Sequence, residues 1–90
     1  MNDQEYARLQ AELLAIGTTN LDADGIKVML EKMTALHLEC DRRSMEYWSG
    51  KRSRRSVQGR KLTQIKNALE DKLNVHMSLN KKGVYALHVR

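Results

Sequence analysis

The spacing of apolar residues changes abruptly at one place in this chain, and that change constrains the fold more than any other feature. Leu62, Ile65, Leu69 and Leu73 recur three and four residues apart, along one side of an α-helix. From Val75 the period drops to two: Val75, Met77 and Leu79 alternate with His76, Ser78 and Asn80. Asn80-Lys81-Lys82-Gly83 then supplies turn residues, with Gly83 able to take a positive φ, and Val84 to Val89 offers a β-rich return strand. A helix capped by Ser56 and running to about Leu73, followed by an antiparallel hairpin, is the expected C-terminal half.

Upstream the pattern is helical. Tyr6, Leu9, Leu13 and Ile16 share a stripe that predicts a helix over residues 3–16, ended by Gly17 in the left-handed conformation. Thr18, Thr19 and Asn20 read as a polar connection. Asp22 is placed to cap a second helix with Ile26, Met29, Leu30, Met33 and Leu36 inward. A third, shorter helix is expected near residues 42–48, stopped by Ser49-Gly50. Met45 and Trp48, three apart, would be its core residues, Trp48 as an anchor, with Met29, Met33 and Met77 filling the core elsewhere. Tyr47 and Trp48 can also stack on bases, as aromatics do in single-strand binders, but four aromatic residues in all favour the core role.

Charge is divided unevenly. Residues 1–40 carry net −4 and residues 41–90 net +9, out of a total of +5. Six cations fall within eleven residues: Lys51, Arg52, Arg54, Arg55, Arg60 and Lys61. A basic half of this kind neutralises phosphates and releases their counterions, so an anionic partner is expected on that side and the acidic half faces elsewhere.

Several classes of chemistry find no support. Ninety residues hold one modest core, which leaves little room for an enzyme cleft. No nucleophile–base motif, P-loop or dinucleotide glycine fingerprint is present, so neither catalysis nor a cofactor is expected. His37, Cys40, His76 and His88 have no metal-site spacing, and Asp22-Ala23-Asp24-Gly25 lacks the later ligands of a calcium loop. Cys40, the single cysteine, forms no internal disulfide and reads as a small buried residue. The acidic start is unlike a secretory signal, and no apolar run approaches a bilayer's width, so a cytoplasmic protein without a membrane partner is expected.

On the side of the fourth helix opposite its apolar stripe lie Arg60, Gln64, Asn67 and Asp71, flanked by Thr63 and Lys66. Arginine, glutamine and asparagine make bidentate contacts with guanine or adenine edges in the major groove. Asp71 would repel phosphate unless it sits at the outer end of the helix or pairs with Lys72. Together these elements read as mostly α with a C-terminal β-hairpin: a winged helix-turn-helix with an extra N-terminal helix. Residues 1–20 would form that helix and its connection, and residues 21–90 the winged-helix domain.

Residues 21–89 resemble a reduced winged-helix DNA-binding domain of the OmpR/PhoB response-regulator type. Leu21-Asp22-Ala23-Asp24-Gly25-Ile26-Lys27-Val28-Met29-Leu30 is similar to that family's opening helix, and Trp48-Ser49-Gly50 to the Trp-Gly after its second helix. Ser56-Val57 is similar to the Thr-Val that opens its recognition helix, Leu62 and Ile65 to the Leu and Ile that follow, and Lys82-Gly83-Val84-Tyr85-Ala86-Leu87 to its wing. These 90 residues do not include a receiver domain, one helix is expected in place of the family's N-terminal sheet, Val84 replaces the second wing glycine, and Gln64-Ile65-Lys66 replaces a dense Arg-Leu-Arg pattern.

The resemblance implies a sequence-preferring double-stranded DNA-binding protein acting as a transcriptional regulator or accessory factor. Arg60, Thr63, Gln64 and Asn67 would contact bases, and Lys51, Arg52, Arg54, Arg55, Lys61, Lys66, Lys81 and Lys82 the backbone. Leu9, Leu13 and Ile16 are the expected dimerisation surface of a homodimer. The Lys51–Arg55 segment occupies a loop that in the family can touch RNA polymerase. The rival expectation is therefore a non-catalytic adaptor or inhibitor that docks this loop on an acidic protein, such as polymerase or a nucleic-acid enzyme; an RNA-associated role is a third.

Overall fold

A computed structural model describes residues 1–17 and 21–90; the expected polar connection at Thr18, Thr19 and Asn20 lies outside the described residues. The described residues form α1 (Asp3–Leu14), α2 (Ala23–Trp48), a short 3-10 turn (Arg54–Ser56), α3 (Gly59–Leu73), β1 (Val75–Leu79) and β2 (Tyr85–Val89). The mostly helical class with a C-terminal hairpin is as expected. No helix among the described residues is long and apolar enough to cross a membrane.

α1 begins at a capping box, in which the Asn2 side chain accepts from the Glu5 amide and the Glu5 carboxylate accepts from the Asn2 amide. It ends at Leu14 with Ala15 as its right-handed C-cap, and Gly17 does not take the positive φ expected of it. Instead Lys72 donates from its ammonium to the carbonyls of Leu14 and Ile16, satisfying the open end of the helix. Asp22 caps α2 as expected, accepting from the Gly25 amide at 2.8 Å.

Where two helices were expected over residues 22–48, there is one of 26 residues. Nothing between His37 and Arg42 breaks a helix, and side chains one turn apart reinforce the junction: Glu39 pairs with Arg42 and Arg43, and Arg42 pairs with Glu46. No turn therefore separates a short third helix from the second, and the expected helix-turn-helix subdivision is corrected. α2 ends in a Schellman motif: Lys51 N–H donates to the Glu46 carbonyl, Gly50 N–H to the Tyr47 carbonyl, and Gly50 sits at φ +82°. Ser49-Gly50 is thus the stop the sequence predicts.

Continuity of α2 resets the phase of everything beyond His37. Its inward stripe is Met29, Met33, Leu36, Cys40 and Arg43, all buried. Met45 and Trp48 fall off that stripe and are 74% and 80% exposed, so neither fills the core as expected. The core joins α1, α2, α3 and the hairpin in a single cluster that includes Tyr6, Leu13, Met33, Leu69, Met77 and Tyr85. Leu9 and Leu13 are buried within it and Ile16 packs against it, so this chain's own core occupies the face assigned to a homodimer. α1 thus shares one core with residues 21–90.

α3 starts at Gly59 rather than after a Ser56 cap. The Ser56 hydroxyl donates to the Ser53 carbonyl inside the 3-10 turn, and Gln58, in the left-handed conformation at φ 57°, becomes the helix N-cap without a side-chain capping bond. Asn74, also left-handed, closes the helix and turns directly into the hairpin. β1 and β2 pair antiparallel with Val75 opposite Val89 and Leu79 opposite Tyr85. The Asn80 side chain accepts from the amides of Lys82 and Val84 to shape the turn, and Gly83 takes φ +76° as expected. Glu70 of α3 accepts from the Met77 amide, and Thr34 of α2 from the Tyr85 amide, tying the hairpin to both helices.

Candidate nucleic-acid interface

One end of the molecule gathers the start of α1, the end of α2 and the start of α3. Its centre is Arg43, which lies at an inward position of α2 and is 1% exposed. A guanidinium cannot be left there without partners, and Arg43 has several. Its Nε donates to Glu39 Oε2 at 2.7 Å; one terminal nitrogen donates to Asp3 Oδ1 at 2.9 Å and to the Ser56 carbonyl at 3.0 Å. The face of Tyr6 lies 4.1 Å from the guanidinium carbon, a cation–π contact.

The segment after the 3-10 turn is held residue by residue from below. Ser56 is held by Arg43; the Tyr6 hydroxyl donates to the Val57 carbonyl at 2.8 Å, with Cys40 Sγ nearby at 3.7 Å; Gln10 Nε2 donates to Gln58 Oε1 at 2.7 Å. These contacts hold Gln58 in a left-handed conformation that costs an ordinary residue about 1–2 kcal/mol. Burial pushes both the Tyr6 hydroxyl and the Cys40 thiol above their ordinary pKa values. Glu39 moves the other way: Arg42, and after it Arg43, hold its carboxyl at about 2, against the burial that would raise it.

This inner layer sorts the cations. Asp3, Glu39 and Glu46 are matched by Arg42, Arg43 and Arg52. Arg52, expected on phosphate, is turned to Glu46 at 2.8 Å and Asp3 at 3.7 Å. The other five members of the cluster, Lys51, Arg54, Arg55, Arg60 and Lys61, are exposed and form no ion pair among the described residues. The outer layer at this end therefore carries five uncompensated positive charges. The first turn of α3 contains no acidic residue and no side-chain cap, so the positive end of the helix dipole adds to the same field.

Between the end of α2 and the start of α3 runs an open groove of about 630 Å³. Tyr47 and Trp48 form one wall, Arg54, Arg55 and Arg60 the other, and no carboxylate lines it. The indole and phenol meet edge to face at 5.0 Å.

No family model, curated protein or solved structure matches the chain. The remaining residues singled out from the sequence fall as follows. Arg60, Thr63, Gln64 and Asn67 are all exposed along the outward side of α3. Asp71, at the far end of that side, pairs with Arg90 at 3.1 Å rather than with Lys72. Lys66 is half-buried beside Glu70 at 3.7 Å.

Lys81 and Lys82 are exposed at the hairpin turn, but the turn is not beside the basic loop. Val84 and Tyr85 pack near Ala23, Ile26 and Leu30, and from Leu30 to Tyr47 is roughly 25 Å along α2 at 1.5 Å per residue. The two basic regions expected to act together therefore lie at different ends of α2. His76 faces His88 across the hairpin, whereas His37 is engaged by Tyr85 and Asp41. No metal-holding group of three acidic, histidine or cysteine side chains occurs among the described residues.

Of the candidate interface, the sequence offers Tyr47 and Trp48 for base stacking but favours the core for Trp48; Arg43 as the buried support, and Tyr6 with Gln10 as the clamp on Val57 and Gln58, were missed. The phase of α2 puts Trp48 off the inward stripe. The same phase puts Arg43 on the inward stripe and the α1 stripe puts Tyr6 inward, but no sequence pattern gives their partners in the Ser56–Gln58 segment.

Proposed function

We propose that this protein is a non-catalytic, double-stranded DNA-binding protein that acts in the cytoplasm as a transcriptional regulator or accessory factor. It presents the N-terminal half of α3 to the major groove. Arg60, Thr63, Gln64 and Asn67 reach base edges, while Lys51, Arg54, Arg55 and Lys61 contact the flanking phosphates. The observation that carries the reading is the sorting of charge at this end. Three carboxylates match three guanidiniums around the buried Arg43, and among the described residues five cations stay exposed and unpaired around a helix start without a side-chain cap. Exposed lysines and arginines kept free of nearby carboxylates are what phosphate binding requires. Lys81 and Lys82 have an auxiliary part, since they lie away from the main patch.

Binding-site selection from random duplexes tests the reading. The parent should return a preferred sequence, and Gln64→Ala with Asn67→Ala should flatten that preference while leaving most of the affinity. Recovery of the same preference by the double variant would contradict base contact by α3. A protein-docking function is favoured by one observation, the exposed Leu38 and Met45 on the outward side of α2. It predicts retention on duplex DNA that vanishes at moderate salt and shows no sequence preference.

A further inference from the structure

We infer that the groove between Trp48 and the arginines of the basic loop takes an unpaired nucleotide of a single nucleic-acid strand. Its base would stack on the indole and its phosphates would lie against Arg54, Arg55 and Arg60. The inference rests on the reading of Arg54 and Arg55 as phosphate-binding, adds Arg60 to them on a single strand, and does not require α3 to enter a duplex groove.

Trp48 is the only tryptophan of the chain, and the fold leaves it 80% exposed at the last residue of α2. An indole is among the largest apolar surfaces a side chain offers, and here the core uses little of it. Tyr47, half-buried, meets it edge to face at 5.0 Å and 65°. That contact steadies the ring, and an exposure of 80% leaves most of the indole surface open for stacking. The Schellman motif at Gly50 fixes where the helix stops, and so where the indole stands relative to the loop that follows.

The opposite wall decides the class of occupant. Three guanidiniums line it and no carboxylate does, so an apolar protein segment would desolvate arginines without pairing them. A nucleotide matches both walls, because a flat π-face is joined to an anion one sugar away. The volume of about 630 Å³ lies in the range of sites that bury small organic molecules, about 300–1,000 Å³. Single-strand binders combine these two elements, a cationic track and an aromatic on which any base can stack. The loop wall is also held in place before any ligand arrives, through the bonds from Arg43 to Ser56, Tyr6 to Val57 and Gln10 to Gln58.

The test is a set of titrations at low salt with four probes: a deoxythymidine 12-mer, an abasic deoxyribose-phosphate 12-mer, a uridine 12-mer and a blunt duplex. Intrinsic fluorescence of the parent reports Trp48 alone among tryptophans, and anisotropy of labelled probes serves the variants. The deoxythymidine strand should quench Trp48 and bind about tenfold more tightly than the abasic strand, the contribution of one stacked base. Trp48→Leu should reduce the deoxythymidine strand to the abasic level, and Trp48→Phe should recover part of the difference. Since Trp48 is exposed, neither change removes core packing. Arg54→Gln with Arg55→Gln should weaken both strands alike. The tighter of the deoxythymidine and uridine strands identifies the natural source of the nucleotide.

Equal affinity for abasic and base-bearing strands, unchanged by Trp48→Leu, would overturn stacking while leaving phosphate binding intact. So would equal quenching by the blunt duplex, since its bases are already stacked. Failure of all four probes to bind would overturn the phosphate reading itself.

Discussion

Arg43 supports the basic loop from inside the protein, and its removal should be far more costly than removal of its neighbour Arg42. Arg43→Ala strips the donor from the Ser56 carbonyl, one of two guanidinium partners from Glu39, and the cation–π contact from Tyr6. Glu39 is 6% exposed, and breaking a buried pair by deleting one partner costs about 3–5 kcal/mol. Because Arg42 still holds Glu39, and because the Asp3 partner is 83% exposed and solvent-screened, the low end, about 3 kcal/mol, is the expected loss. Small domains lose roughly 4–8 °C of Tm per kcal/mol, so the midpoint should fall by at least about 12 °C. Arg42 is 45% exposed, and Arg42→Ala should cost no more than about 1 kcal/mol. Replacing both buried partners, Arg43→Met with Glu39→Leu, strands no charge and should recover much of the loss. Urea unfolding followed by circular dichroism measures all three. If Arg43→Ala and Arg42→Ala were equally costly, the buried clamp would not be holding this end of the fold.

Further consequences can be measured with the same protein. Glu39 has a folded-state pKa of about 2, lowered from an ordinary 4.5. Its contribution to stability is therefore complete above about pH 4.5 and is lost as pH falls towards 2. Glu39→Gln should flatten the acid limb of a stability–pH curve, and an unchanged limb would contradict the assignment. Gly50, at φ +82°, should lose about 1 kcal/mol on substitution by alanine. Gly59 has no positive φ and open space where a Cβ would stand, with no atom within 4 Å, so the same change there should gain about 0.4–1 kcal/mol. The Cys40 thiol, buried and raised above its usual pKa, should react with iodoacetamide only at the rate at which the protein opens; immediate labelling of the native state would refute its burial.

The hairpin and the outward face of α3 were legible in the sequence because each depends on a local period. The change at Val75 and the positive φ of Gly83 are written in neighbouring residues, as is the Asp22 cap. What failed was phase over a longer distance. Splitting α2 near Arg42 discarded the register that runs from Met29 through Met33, Leu36 and Cys40 to Arg43. Continued by one more step, that register reaches Tyr47 and leaves Trp48 100° away. Read as a single helix, the sequence already places the indole outside. The Ser56 cap failed for a different reason: its hydroxyl had a competing acceptor in the Ser53 carbonyl, three residues back. Leu9 and Leu13 looked surplus only while α1 was counted apart from the core. The separation of Lys81 and Lys82 from the basic loop depends on how the hairpin folds back over α2, and no local pattern encodes that.

The salt dependence of duplex binding tests the central claim most directly. Each neutralised phosphate contributes about −0.9 to the slope of log K against log salt, so full engagement of the four phosphate-contacting residues, Lys51, Arg54, Arg55 and Lys61, would give about −3.6. Arg54→Gln with Arg55→Gln should make the slope shallower by about 1.8. A parent slope near zero, or one that the double variant leaves unchanged, would contradict the assignment of this surface to nucleic acid.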